Sequence, residues 1–261
     1  MTTEDFIIEL FCRIDDAMKG TPKHSQSNLD PSEIVTLGVL FALKGVGNRA
    51  FYRWVGSDYQ KFFPKLPERT RLFRLFAVHQ DWTERFLVEP GLLSVIDSYG
   101  IELIHPVSAG RSEQQIGKKG ISNHRWIVGG KLCFLLNHLG LISGWDCSTA
   151  NVYDTHFHPL IARFEEKTVV FADHGFYSRE NNPSNLKICQ RYTNNERMII
   201  ETVFSMLTTV CHFKKVMHRC WHYFRARLAF TMAAFNLLAH WHGLQPDRDG
   251  FVHLSIAQFS L

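Results

Sequence analysis

The chain has 261 residues, of which 45% are hydrophobic, and its formal net charge is +4. This length and apolar content are typical of a globular protein with a sizeable core and exclude a chain without a packed interior. The mild positive charge favours polyanions slightly, but it excludes a basic tail that binds them by charge alone.

The sequence shows no signal for secretion, zinc or a membrane. The six cysteines are scattered without a CxxC pair, and histidines such as His156 and His158 near Asp154 fit no closed zinc pattern. The start, MTTEDFIIELF, is acidic where a signal peptide is basic. The longest apolar segment, 228–240, is too short to cross a bilayer comfortably. We therefore expect a cytoplasmic protein with reduced cysteines and no membrane partner.

The region 1–88 is predicted to be helical. An apolar face at 6–18 predicts a first helix. Asp30 is a predicted N-cap with Pro31 at the first helical position, and Gly45 marks the end of this second helix. Aromatic and basic residues then alternate at 49–54 and 69–74. Either these short helices face DNA, or their aromatics are core and their arginines solvated.

From residue 91 the pattern changes to that of strands alternating with helices. Strands are predicted at 92–96, 126–136, 141–148, 168–172 and 186–189. Helices are predicted at 155–166, 195–212 and 221–242. Three strands, a helix, a strand, a helix or loop, a strand and a helix is the order of a ribonuclease H-like domain. We therefore predict a mixed α/β fold, with a ribonuclease H-like core over 89–245 that ends in helices, and a tail over 246–261.

Three acidic residues in this core have the layout of a metal site. Two predicted strands end just before Asp97 and Asp173, and a carboxylate at the end of a buried strand emerges at the sheet edge, where ligands are usually received. Glu201 lies on the polar edge of its predicted helix. Carboxylate oxygens suit Mg²⁺, and two metals roughly 3.5 to 4 Å apart clamp the attacking and leaving oxygens of a phosphodiester.

Two of the acids, Asp173 and Glu201, also have a structural interpretation of their own. Asp173 stands two residues before Gly175, where it fits a turn-capping aspartate. Glu201 lies one helical turn after Arg197, which fits a surface ion pair. The three acids predict a metal site only when they are taken together.

The joint pattern resembles the DDE transposases of bacterial insertion sequences over most of the chain. Asp97 in VIDSYGIEL, Asp173 in FADHGFYS and Glu201 in ERMIIETVFSML match the catalytic acids of that family, and Arg197 matches its arginine. The segment 117–145 resembles its lysine-rich loop and following hairpin. The helical region 1–88, with FFPKLP at 62–67, resembles its N-terminal region and is a candidate module for binding DNA ends.

The resemblance implies a transposase that cleaves transposon ends and transfers the freed strand into target DNA. Asp97, Asp173 and Glu201 would then hold two Mg²⁺ or Mn²⁺ ions. The implied partners are terminal inverted repeats and target DNA, bound by a homodimer or larger assembly at the bacterial nucleoid. The residues that we predict to contact phosphates are Arg111, Lys118, Lys119, Arg125, Lys131, Arg197, Lys214 and Lys215.

Two features depart from the family pattern and leave other functions open. The interval between Asp173 and Glu201 is shorter than in that family, and Asn194 and Thr208 stand where some branches have tyrosine and lysine. An inactive or domesticated DNA-binding protein derived from a transposase is therefore one alternative. A nuclease that cuts without joining is another. Lys118 and Lys119 also fit an exposed loop with solvated charge.

Overall fold

The structure is a computed structural model that describes residues 1–122, 124–189, 196–213, 216, 218–244, 254–259 and 261, with the backbone alone described at 196–198. The predicted residues Lys214 and Lys215, and the side chain of Arg197, lie outside this description. The segment 190–195, which contains Asn194, lies outside it as well.

The first 88 residues are helical, as predicted. The helices of this region are α1 (Thr3–Ala17), α2 (Pro31–Lys44), α3 (Asn48–Asp58) and α4 (Arg69–Val78), and a 3-10 helix follows at Gln80–Phe86. Asp30 and Glu33 form a capping box at the start of α2, and Gly45 ends the helix with a φ of 62°. The predicted start and end of α2 are therefore confirmed.

The aromatic residues of the helical region belong to the core. Phe51 and Phe73 are buried and contact the ring of Phe41 on α2. The arginines that alternate with them, at 49, 53, 71 and 74, are exposed. A DNA-contacting role for these arginines remains a prediction, whereas the aromatics serve packing.

Two long helices close the core at the C-terminal end, α6 (Glu196–Thr209) and α7 (Trp221–His242). α2 packs closely along α7, because Gly38 has no side chain and a Cβ there would lie 2.4 Å from the ring of Phe230. The N-terminal helices, α6, α7 and one face of the sheet share a single apolar cluster. Of the predicted tail, 3-10 helix Ala257–Phe259 is described, and Phe259 packs on Trp241.

Within the described part of the chain, the sheet has six strands and is mixed. The strands are β1 (Leu93–Ile104), β2 (Lys118–Ser122), β3 (Arg125–Asn137), β4 (Ile142–Thr149), β5 (Val169–Ala172) and β6 (Leu186–Ile188). Their order is β2-β3-β1-β5-β6, with β4 also paired to β3. The contacts of β3 with β1, β2 and β4 are antiparallel, and those of β5 with β1 and β6 are parallel. The mixed α/β class is therefore confirmed.

Three sequence predictions about this part of the chain were wrong in detail. β1 does not end before Asp97 but continues to Ile104, because its second half pairs with the first half of β3. Lys118 and Lys119 lie on β2 rather than in a loop, since 118–122 pairs with 125–129. The helix predicted at 155–166 is a 3-10 turn at Asp154–Phe157 followed by α5 (His158–Ala162). Pro159 fits in the first turn of an α-helix, which explains where α5 begins.

By length and hydropathy, none of the described helices alone suffices to cross a membrane. α2 and α3 together pass that test, but the pair is bent by 117° at its junction.

Candidate active-site cleft

Asp97 lies on β1, and Asp173 directly follows the neighbouring strand β5. The parallel register of β1 and β5 places Val95 opposite Phe171. Two residues further along each chain come Asp97 and Asp173, and Asp173 keeps an extended backbone with φ −78° and ψ 176°. Strand alternation therefore assigns both carboxylates to the same face of the sheet, where β5 ends.

Glu201 is brought to the same face by the packing of α6 on the sheet. Phe204 contacts the rings of Tyr99 on β1 and Phe134 on β3, with centroids 5.0 and 4.6 Å apart. Val203 and Leu207 are buried on the same side of α6. Glu201 is exposed, which agrees with its predicted place on the polar edge of this helix.

Asp97, Asp173 and Glu201 line one open cleft of about 600 Å³, together with Lys131, Asp154 and the hydroxyl-bearing residues Ser98, Ser122 and Ser205. We call it the acid cleft. Although the interval between Asp173 and Glu201 is short, Glu201 lines the same cleft as the two aspartates. Among the described residues, no three His, Cys, Asp or Glu side chains already form a group that could hold a metal ion.

Asp154 is a fourth carboxylate of the acid cleft, which the sequence did not single out as a site residue. Its Oδ1 accepts a hydrogen bond from the Ser98 hydroxyl and from Lys131 Nζ, the latter at 3.1 Å. Ser98 is the neighbour of Asp97, whose Oδ1 accepts from the Ser98 amide at 2.7 Å. Asp154 is therefore tied to the strand segment that carries Asp97.

Asp154 also lies beside Asp173. A Cβ built at Gly175 would be 2.6 Å from Asp154 Oδ2 and 3.0 Å from Asp173 Oδ1, so the two carboxylates approach this glycine from two sides. The Gly175 amide donates to Asp173 Oδ1 at 2.9 Å. Asp173 thus has the turn-capping role that its sequence suggested, in addition to its position in the cleft.

The negative charge of the cleft reaches the buried layer beneath it. Burial raises the pKa of the Cys133 thiol well above its usual value, and the charges of Asp97 and Asp154 raise the pKa further. Cys133 is opposite Ser98 in the β1–β3 register. The thiol of Cys133 is therefore neutral and does not change the charge of the cleft. Among the described residues that line the acid cleft, Lys131 is the cation that offsets the charge of the acids.

Other predicted phosphate-contacting residues lie around the cleft rather than in it. Lys118, Lys119 and Arg125 are exposed on the β2–β3 hairpin, and Lys119 Nζ lies 4.8 Å from the centre of the Trp126 ring. This hairpin contributes Ile121 and Ser122 to the cleft wall. Arg111 is exposed in the segment between β1 and β2. Three of the predicted basic residues therefore lie on the hairpin whose turn end contributes to the wall of the acid cleft.

The donor set of the acid cleft fits a hard divalent cation. The side chains that line it offer carboxylate and hydroxyl oxygens, whereas its lining residues include neither cysteine nor histidine. Oxygen ligands of this kind suit Mg²⁺ and Mn²⁺. Asp97, Asp173 and Glu201 are the residues that would hold such ions.

No family model, no curated protein and no solved structure matches this chain significantly.

Proposed function

We propose that this chain is a DDE transposase with a ribonuclease H-like catalytic core, which cleaves transposon ends and joins them to target DNA. One observation carries the proposal. Three acids that are far apart in the sequence, on β1, directly after β5 and on α6, line a single cleft. The acids match the family motif at the same three positions.

The strand order supports the ribonuclease H-like part of the proposal. β4, β3 and β1 form an antiparallel set, and β5 and β6 continue from β1 as parallel strands. This order agrees with a mixed sheet that carries carboxylates beside helices. α6 lies against β1 on the face to which Asp97 belongs, through contacts of Phe204 with Tyr99 and Phe134.

The chemistry assigns distinct tasks to the residues of the cleft. Asp97, Asp173 and Glu201 would hold divalent cations, which would supply activation of the attacking oxygen and charge relief for the leaving oxygen. Attack by water on phosphorus breaks the bond to the 3′-oxygen and leaves a 3′-hydroxyl and a 5′-phosphate. This 3′-hydroxyl then attacks a phosphate of the target strand, which forms a new phosphodiester bond, breaks the target's own bond from phosphorus to its 3′-oxygen and releases a target 3′-hydroxyl. Lys131 holds Asp154 and limits repulsion among the acids. Lys118, Lys119 and Arg125 contact flanking phosphates.

DNA that flanks the gene on both sides is the substrate for the test, because it contains the ends that a transposase would recognise. With Mg²⁺ or Mn²⁺, the wild-type protein is expected to nick these fragments and join the 3′-ends to a plasmid. Asp97→Asn, Asp173→Asn and Glu201→Gln should each lower both steps by on the order of 10²-fold or more, a loss typical of removing a charge-stabilising group.

Asp146→Asn is the matched control. Asp146 lies on β4 of the same sheet, where it pairs with Arg225 at 3.1 Å and does not line the acid cleft. Equal activity of wild type and Asp146→Asn is expected. DNA binding without nicking, unchanged in Asp97→Ala, would identify an inactive DNA-binding protein instead. Cutting without joining would identify a nuclease.

A further inference from the structure

A second cavity, of about 810 Å³, lies between the N-terminal helices and the sheet. Its walls come from the α2–α3 junction, from the end of β1 and from the start of α7 with the residues before it. We call it the junction cavity. None of the residues that line it belongs to the acid cleft.

Two helices begin at the junction cavity without a side-chain cap. Gly47 is the N-cap of α3 and Cys220 is the N-cap of α7, and neither makes a side-chain hydrogen bond to its helix. Neither helix has an acidic residue in its first turn. The first amides of a helix lack partners within it and carry partial positive charge, which makes such an end a site for anions.

Arg227 adds a buried cation to this cavity. Its side chain lies on α7, is only 3% exposed, and donates through Nη1 and Nη2 to the carbonyl oxygens of Phe41 and Ala42 at the end of α2. Its Nε has no hydrogen-bond partner, and none of the ion pairs among the described residues includes Arg227. A buried cation without a carboxylate is costly, so an anion in the cavity would lower its free energy.

Further donors face the same space. His218 Nδ1 is buried without a hydrogen-bond partner, and the exposed Arg219 follows it. Burial, and then the positive charge of Arg227, lower the pKa of His218 to about 4, which agrees with a position close to that guanidinium. Glu102 is the acid among the described lining residues, against two arginines.

We propose that the junction cavity binds a phosphate group, and that its source is the backbone of bound DNA. The choice of DNA rests on the proposed function. Glu102 of the cavity and Asp97 of the acid cleft are both on β1, about 17 Å apart at 3.3 to 3.4 Å per residue. Because a DNA duplex rises about 3.4 Å per base pair along its axis, a duplex of about five base pairs or more is long enough to span both sites.

Gly47→Asp is the decisive variant, because its carboxylate would cap α3 and occupy the phosphate position from within the protein. A Cβ at Gly47 meets no atom within 4 Å, and the backbone φ of −72° suits any residue. Gly47→Ala controls for the added Cβ. Gly56→Asp controls for charge, since it places the same carboxylate on α3, outside the cavity, at another position where a Cβ meets nothing.

Two measurements on the full chain test the site. Inorganic phosphate should raise the Tm of wild type, Gly47→Ala and Gly56→Asp more than chloride at equal ionic strength, and this difference should be lost in Gly47→Asp. The second measurement is the salt dependence of the association constant for duplex DNA from the gene flanks, obtained by anisotropy. The magnitude of the slope of log association constant against log salt concentration should decrease by about 0.9 in Gly47→Asp only.

Each outcome bears on the proposal. Loss of the phosphate effect in Gly47→Asp with an unchanged DNA slope would overturn DNA as the source and assign the site to a free phosphate compound. Equal behaviour of Gly47→Asp and Gly56→Asp in both measurements would overturn the phosphate site. A slope change in a protein that never cleaves DNA would support the phosphate site and contradict the transposase function. Cleavage of DNA without the slope change would contradict the phosphate site alone.

Discussion

Lys131 and Asp154 form an ion pair in the acid cleft, with 3.1 Å between Nζ and Oδ1 and side chains only 12% and 23% exposed. We predict that Lys131→Met destabilises the metal-free protein by roughly 1–3 kcal/mol, because it leaves a shielded carboxylate without its donor. Added Mg²⁺ should then stabilise this variant more than it stabilises wild type. Urea unfolding with and without Mg²⁺ measures both effects.

Lys167→Met is the control for that prediction. Lys167 pairs with Glu89 at 2.8 Å, but their side chains are 55% and 80% exposed. Loss of an exposed pair should change the free energy of unfolding by less than about 1 kcal/mol and give no special response to Mg²⁺. An equal loss of unfolding free energy in both variants would show that the Lys131–Asp154 pair stabilises the protein no more than an exposed pair does.

Gly175 is predicted to accept a side chain only at a cost in stability. In Gly175→Ala the new Cβ would be 2.6 Å from Asp154 Oδ2, so one of the two aspartates beside it must move. We expect a loss of stability of about 1–3 kcal/mol and weaker Mn²⁺ binding by calorimetry. Gly56→Ala, where a Cβ meets nothing, should instead be neutral or stabilising by up to about 1 kcal/mol. Unchanged Mn²⁺ binding in Gly175→Ala would argue against this packing.

His218 predicts a pH dependence of stability. Burial and then the charge of Arg227 lower its pKa from 6.5 to about 4, so between these values the unfolded state binds a proton that the folded state does not. Stability should therefore fall as the pH falls from about 6.5 to about 4, by about 3 kcal/mol at most. In His218→Gln this contribution should vanish, which chemical unfolding across this pH range measures. Parallel curves for the two proteins would contradict the assignment.

Asn236 connects α7 to both the sheet and the helical region. Its Oδ1 accepts from the Ile142 amide, and its Nδ2 donates to the carbonyl oxygens of Ile142 and Phe86, each at 2.8 Å. Asn236→Leu removes the partner of the Ile142 amide and of the Phe86 carbonyl, whereas the Ile142 carbonyl keeps the Val88 amide at 3.2 Å. The loss of these buried bonds should cost about 3 kcal/mol or more. Asn151→Leu, at an exposed position after β4, is the control and should have little effect. A loss below about 1 kcal/mol in Asn236→Leu would contradict the role of this residue.

Features that depend on local sequence were predictable. The capping box at Asp30 and the chain break at Gly45 follow from the conformational preferences of those residue types. The placement of Asp173 directly after β5, and of Glu201 on the exposed side of α6, follows from apolar periodicity. Local patterns therefore placed Asp173 and Glu201 correctly, whereas the strand end predicted before Asp97 was wrong.

Features that depend on tertiary pairing were not predictable in the same way. Gly100 and Glu102 weaken the strand pattern of β1, yet β1 continues because β3 pairs with it. Gly100 also leaves room for the side chain of Ser122, which would lie 2.4 Å from a Cβ at position 100. Asp154 lies on a 3-10 turn with no periodic pattern. Its place in the acid cleft comes from Ser98 and Lys131, which lie on two different strands.

We propose that Asp97, Asp173 and Glu201 share divalent cations, and Fe²⁺-directed cleavage of the protein can map such a shared site. Fe²⁺ in the acid cleft, with ascorbate and peroxide, would produce hydroxyl radicals that cut the nearest backbone. Cuts near residues 97, 173 and 201, suppressed by excess Mg²⁺ and absent in Asp97→Asn, are the predicted result. Cuts that are absent from these three segments, or that Mg²⁺ does not suppress, would contradict a shared metal site.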